Sequence, residues 1–117
     1  MNKPLEREVT GIPGTFLMKR ELTIVVPAFN EAKAIGQTMA ALKDMLATAA
    51  IDGEIVVVDD GSADGTGDAA EAVGVRVIRL PENSGYGFAL KTGIAESESK
   101  FVAIIDADGT YPAGKIP

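Results

Sequence analysis

From residue 21 onward, short unbroken apolar runs alternate with apolar stripes spaced at helical intervals. Leu22 to Val26, "LTIVV", is a β-branched run that predicts a buried strand, with Pro27 expected to stop it. From Glu31 to about Ala49 the period changes, and Ile35, Met39, Leu42 and Leu46 recur on one helix face. "IDG" (Ile51 to Gly53) turns the chain into "EIVVV", a second buried run ending at Asp59. "DGSADGTGDAAEAV" begins as a turn and becomes a short helix, with Ser62 or Asp64 as N-cap and Gly74 closing it. "VRVIRL" predicts a third strand, ended by Pro81. "PENSGYGFALKTGIAESES" is a Gly-rich turn followed by a helix with Leu90 and Ile94 inward, and "FVAII" is a fourth strand.

The order β-α-β-α-β-α-β, with each strand apolar enough to be covered on both faces, predicts an α/β fold. Its core is a Rossmann-like parallel sheet of about four strands in the order 3-2-1-4, with helices on both faces. In such a sheet ligands bind outside the carboxyl ends of the strands, where the order reverses. Three segments converge there: "PAFNE", "DDGS" and "DADGT". Residues 1–20 mix charge, Pro and Gly, and are expected to be a flexible arm before an ordered domain at 21–117.

Composition narrows the chemistry. The 117 residues suit one domain, and a net charge of −6 argues against a nucleic-acid partner. With neither Cys nor His, thiolate and imidazole chemistry are excluded, and acid–base or metal work falls to Asp and Glu. No run approaches the roughly 20 apolar residues of a membrane span, and the first residues lack a signal peptide's apolar stretch. A cytoplasmic protein is expected.

The three loops then offer specific groups. Phe29 presents a flat apolar face and Glu31 a carboxylate, although Glu31 equally suits a first helical turn. Asp59 and Asp60 are adjacent at a strand end, so they point to opposite faces. One is free to meet a ligand's base or ribose while the other fixes the turn. Gly85 and Gly87 precede a helix carrying Lys91, an arrangement that admits phosphate but also serves as a simple turn. Asp106 and Asp108 share a face if the strand runs that far, giving two hard oxygen ligands suited to Mg²⁺ or Mn²⁺.

Taken together, "TIVVPAFNEAKAI", "EIVVVDDGSADGT", "NSGYGFALKTGI" and "FVAIIDADGTYP" resemble glycosyltransferase family 2, the inverting GT-A enzymes. The resemblance is nearest to the polyprenyl- and dolichyl-phosphate sugar synthases. It implies a UDP- or GDP-linked sugar donor and an acceptor such as a lipid phosphate, used at the cytoplasmic membrane surface. The donor nucleotide would be held by Pro27, Ala28, Phe29, Glu31, Val58, Asp59, Asp60, Lys91, Asp106 and Ala107, with Asp106 and Asp108 on the metal. Thr110 stands where some lipid-phosphate members carry Gln, a departure from the family pattern.

Two other readings fit parts of the sequence. "DADGT" also matches the nucleophile motif of haloacid-dehalogenase-type phosphatases, but that motif should come first, and only "YPAGKIP" follows it here. The chain is expected to be the donor-binding half of a larger enzyme, with the catalytic base beyond Pro117. On its own it would then act as a nucleotide-binding or self-associating module, and a homodimer is expected through the exposed edge of strand four.

Overall fold

The strands β1 (Leu22–Ala28), β2 (Gly53–Asp59), β3 (Arg76–Arg79) and β4 (Phe101–Ile104) form one sheet in the order β3-β2-β1-β4. All neighbouring pairs are parallel, as the alternating sequence predicts. This is a computed structural model, and it describes residues 21–108. The expected N-terminal arm and Thr110 lie outside the described residues. Among those residues, no helix is long and apolar enough to cross a membrane.

The two faces of the sheet are covered separately. Ile24 and Val26 of β1, with Ile55 and Val57 of β2, pack against α1 (Ala32–Ala49) and α2 (Thr66–Ala72) through Ile35, Met39, Leu46 and Ala70. On the opposite face, Val25, Val56 and Val58 meet Ala89 of α3 (Tyr86–Ala95). Val25, Val26, Val56, Val57 and Val58 have no exposed surface. Burying each contributes about 1.5–3 kcal/mol, so the two central strands supply a large share of the core.

Three expectations need correction. Pro27 does not stop β1; the ladder to β2 runs through the Pro27–Val58 and Ala28–Asp59 pairs. Strand residues alternate in the direction of their backbone groups. Because Val25 accepts from the β4 side and Ala28 from the β2 side, the N–H that Pro27 lacks would face β4, beyond that ladder's end. The outer strands are also not covered on both faces: β3 is exposed at both ends, and Phe101 of β4 is 62% exposed.

The third correction concerns α3. Its buried residues are Ala89 and Gly93, whereas Ile94 is exposed and Leu90 half-buried. A Cβ on Gly93 would lie 2.4 Å from Val25 Cγ1, so the helix rests directly on the sheet. Close approach, and not the largest apolar side chains, sets its rotation.

Candidate functional site

The carboxyl ends of β1 and β2 are fastened to each other by side chains. Asp60 N–H donates to the Ala28 carbonyl at 2.8 Å. Beyond that point the amides of Asn30, Glu31 and Ala32 donate in turn to Ser62 Oγ, Thr66 Oγ1 and Asp64 Oδ2. The Asn30 side chain answers by accepting from Ala63 N–H, and Asn30 itself takes a left-handed backbone with φ of 54°. Asp64 also accepts from the N–H and hydroxyl of Thr66, so one carboxylate serves the first turns of both α1 and α2. The residue immediately before α2 is Gly65, not the expected Ser62 or Asp64, yet Asp64 still supplies that helix with an acceptor. These bonds hold the Asp64 carboxyl below the usual carboxylate range, with the Thr66 hydroxyl the largest cause.

Asp59 and Asp60 point to opposite faces, as strand alternation requires. Asp59 Oδ1 accepts from Ser62 N–H at 3.0 Å and fixes the turn. Asp60 turns toward α3, where its Oδ1 accepts from Ser84 N–H at 2.7 Å. Its Oδ2 accepts from Gly85 N–H and from Asn83 Nδ2, both at 2.9 Å. Both aspartates are buried. Gly61 makes the contact possible: its φ is 74°, and a Cβ there would lie 2.4 Å from the backbone of Glu82 and Asn83.

Above this knot lies a cleft of about 290 Å³, lined by Pro27, Ala28, Phe29, Asp60, Asn83, Gly85, Tyr86 and Ala89. Phe29 and Tyr86 are 45% and 57% exposed, placing two aromatic rings on its lining. Of the residues expected from sequence, Pro27, Ala28, Phe29 and Asp60 come together here. Val58 and Asp59 do not line the cleft, the first being core beneath α3 and the second part of the β2–α2 turn. Lys91 is exposed on α3 and also absent from the lining. Asn83, Gly85, Tyr86 and the buried Ala89 complete the lining; the sequence offers Gly85 as a phosphate-admitting glycine, whereas it assigns no role to Asn83 and Tyr86. The only sequence signal for those two is their place in "ENSGYG", the loop between a strand-ending Pro81 and a helix.

The acidic pair sits at the end of β4. Strand pairing stops at Ile104, and Ile105 N–H donates to the Val25 carbonyl at 3.1 Å. Asp106 and Asp108 therefore stand in the turn that follows and do not share a pleated face, which corrects the expected geometry. Ala107 between them is buried in the core on the α1 side, and both carboxylates stay half-exposed. Glu31, at the start of α1, is pushed above the ordinary carboxylate range, first by burial and then by Asp108, Asp64 and Asp106. Four acids from three loops thus share one electrostatic neighbourhood. Among the described residues, no three carboxylates are grouped closely enough to hold a metal ion by themselves.

Comparison with known proteins bears on this arrangement. The family described as Glycosyl transferase family 2 matches residues 23–117. An uncharacterized protein of Methanocaldococcus jannaschii is 45% identical over 98 residues, covering 80% of this chain and 37% of its own length. A dolichyl-phosphate beta-glucosyltransferase of Trichomonas vaginalis is 35% identical over 97 residues, covering 74% of this chain and 29% of its own. Among solved structures, glucosyl-3-phosphoglycerate synthase from Mycobacterium tuberculosis, in complex with Mn²⁺, UDP-glucose and phosphoglyceric acid, superposes with a TM-score of 0.65. That match has 30% identity and covers 75% of this chain and 33% of the other. The chain thus spans roughly a third of the length of these relatives.

Proposed function

The chain belongs to glycosyl transferase family 2, and from that membership and its cleft we propose that it binds the donor of a sugar-transfer reaction. The parent activity is transfer of a sugar from a nucleoside diphosphate to a phosphate-bearing acceptor. One observation carries the reading: a cleft with two aromatic rings and a buried carboxylate opens at the strand ends that also bear the acids Glu31, Asp106 and Asp108.

Each residue then has a task. Phe29 and Tyr86 offer faces on which a planar base stacks, over a floor of Pro27 and Ala28. Asp60 and Glu31 accept hydrogen bonds from base and ribose. Val58 and Asp59 support them from beneath, and Ala107 anchors the acidic turn in the core. Lys91 adds positive potential on the diphosphate side of α3.

Asp106 and Asp108 would hold Mg²⁺ or Mn²⁺ together with the donor's diphosphate oxygens. The donor set fits, because the acids that crowd Glu31 favour a cation and a chain without His or Cys supplies only hard oxygen ligands. When bound, such an ion supplies Lewis-acid stabilisation of the departing diphosphate. The Trichomonas relative is named for dolichyl phosphate and the mycobacterial complex contains phosphoglyceric acid, which supports a phosphate-bearing acceptor. Within that class a lipid phosphate at the cytoplasmic membrane surface is the finer reading.

A thermal-shift assay tests the donor site. GDP or UDP at a hundredfold excess over its Kd should stabilise the chain by about 2.7 kcal/mol with Mn²⁺. The effect should vanish in EDTA and in Asp108→Ala. Equal stabilisation with and without metal would overturn the metal assignment.

A second property is favoured by the exposed edge. Phe101 and Val102 are 62% and 39% exposed, and no strand covers the far side of β4 among the described residues. Pairing of this edge with a second copy in a two-fold contact would satisfy its open backbone groups.

A further inference from the structure

The polar lining of the cleft is uneven in chemical kind. Asn83 Nδ2 has two hydrogens and two acceptors: the Asp60 carbonyl at 3.3 Å and Asp60 Oδ2 at 2.9 Å. Turning the amide over would set its oxygen against both of those oxygens, so the orientation is fixed chemically. What Asn83 has left is Oδ1, a pure acceptor that takes no hydrogen bond from the described residues. Beside it stands the Asp60 carboxylate. Of its four acceptor positions three are filled, by Ser84 N–H, Gly85 N–H and Asn83 Nδ2. The one remaining is on Oδ1. The side chains of Asp60 and Asn83, which both line the cleft, thus keep two acceptor positions open and have no donor to spare.

We propose that Asn83 is a specificity-determining residue of this cleft. Its Oδ1, paired with the open position on Asp60 Oδ1, selects a base edge carrying two adjacent N–H donors, that of guanine. The inference rests on the donor-binding reading above and deepens it by naming the base. Guanine offers N1–H next to its 2-amino group. Uracil offers N3–H between two carbonyls, so one carbonyl would face an acceptor. Adenine and cytosine each place a ring-nitrogen acceptor beside their amino group. For all three, an acceptor of the cleft meets an acceptor of the ligand, which costs affinity on both sides. Selection follows from a side chain locked by its neighbour, with no group dedicated to rejecting the wrong base.

Isothermal titration of the full 117-residue chain with GDP, UDP, ADP and CDP, each with Mn²⁺, tests this directly. GDP should bind at least about tenfold more tightly than the other three. In Asn83→Ala the ratio of GDP to UDP affinity should fall toward one. In Asn83→Lys, which places a donor where the acceptor stood, UDP should gain on GDP. Wild-type protein binding all four nucleotides equally, or favouring UDP, overturns the proposal while the donor-binding reading stands. Binding of no nucleotide at all overturns both. Circular dichroism of each variant confirms its fold, and the wild-type order of affinities decides the matter even if a variant does not fold.

Discussion

Asp64 takes on more than its exposed position suggests. Its carboxylate accepts from Ala32 N–H and from both the N–H and the hydroxyl of Thr66, and its pKa is lowered in the fold. An unfolded chain therefore takes up this proton at a higher pH than the folded one. The stabilisation is complete above the ordinary carboxylate range and drains away as pH falls toward the lower folded value. Urea midpoints measured from pH 6 down to pH 3 should fall, and Asp64→Asn, which keeps one acceptor, should flatten part of that slope. Asp60 is the more costly residue to change. Asp60→Asn would set its amide donor either against Ser84 N–H or against both Gly85 N–H and the Asn83 amide, and lower stability by about 2 kcal/mol or more in urea unfolding. The opposed directions of Asp59 and Asp60 were legible in sequence because a strand alternates. The partnership of Asp60 with Asn83 was not, since only the packing of α3 onto the sheet brings residues 23 positions apart together.

At the scale of the element, the strands and α1 were readable because their apolar runs and stripes are long and unambiguous. The rotation of α3 was not. A search for large apolar residues selects Leu90 and Ile94, whereas the helix buries Ala89 and Gly93 to approach Val25 and Val58. Gly93→Ala should therefore destabilise the protein by about 1–3 kcal/mol despite its better helix propensity, because two β-branched core residues must shift. Urea unfolding of the variant measures it. The end of α1 invites the opposite change. Ala50 closes that helix in the left-handed region, with φ of 56° and ψ of 40°, and its N–H bonds back to the Ala47 carbonyl. Such a backbone costs a non-glycine residue about 1–2 kcal/mol, while glycine gives back some of the difference through a more flexible unfolded chain. Ala50→Gly should gain up to about 1 kcal/mol, seen as a higher urea midpoint with unchanged slope.

For the whole molecule, the strand order and a cleft at the carboxyl ends of the strands followed from alternation and handed crossovers, whereas the lining of that cleft by β1, β2 and α3, without the β4 turn, did not. The partial exposure of β3 and β4 did not, because apolar content does not say whether a strand lies at an edge. That exposure predicts association. Light scattering at micromolar concentration should report more than one copy per particle, and Val102→Lys should shift the population toward monomer. A monomeric wild type would exclude the β4 contact. The side-chain fastening between the first two loops reaches into a different domain, that of time. Asn30, Glu31 and Ala32 lie in succession, yet each of their amides is held by a residue more than thirty positions away. None can open alone without pulling on the loop that holds the others. In deuterated water these three amides should exchange at one common rate, set by the lifting of the 62–66 loop and not by fraying of the helix they begin.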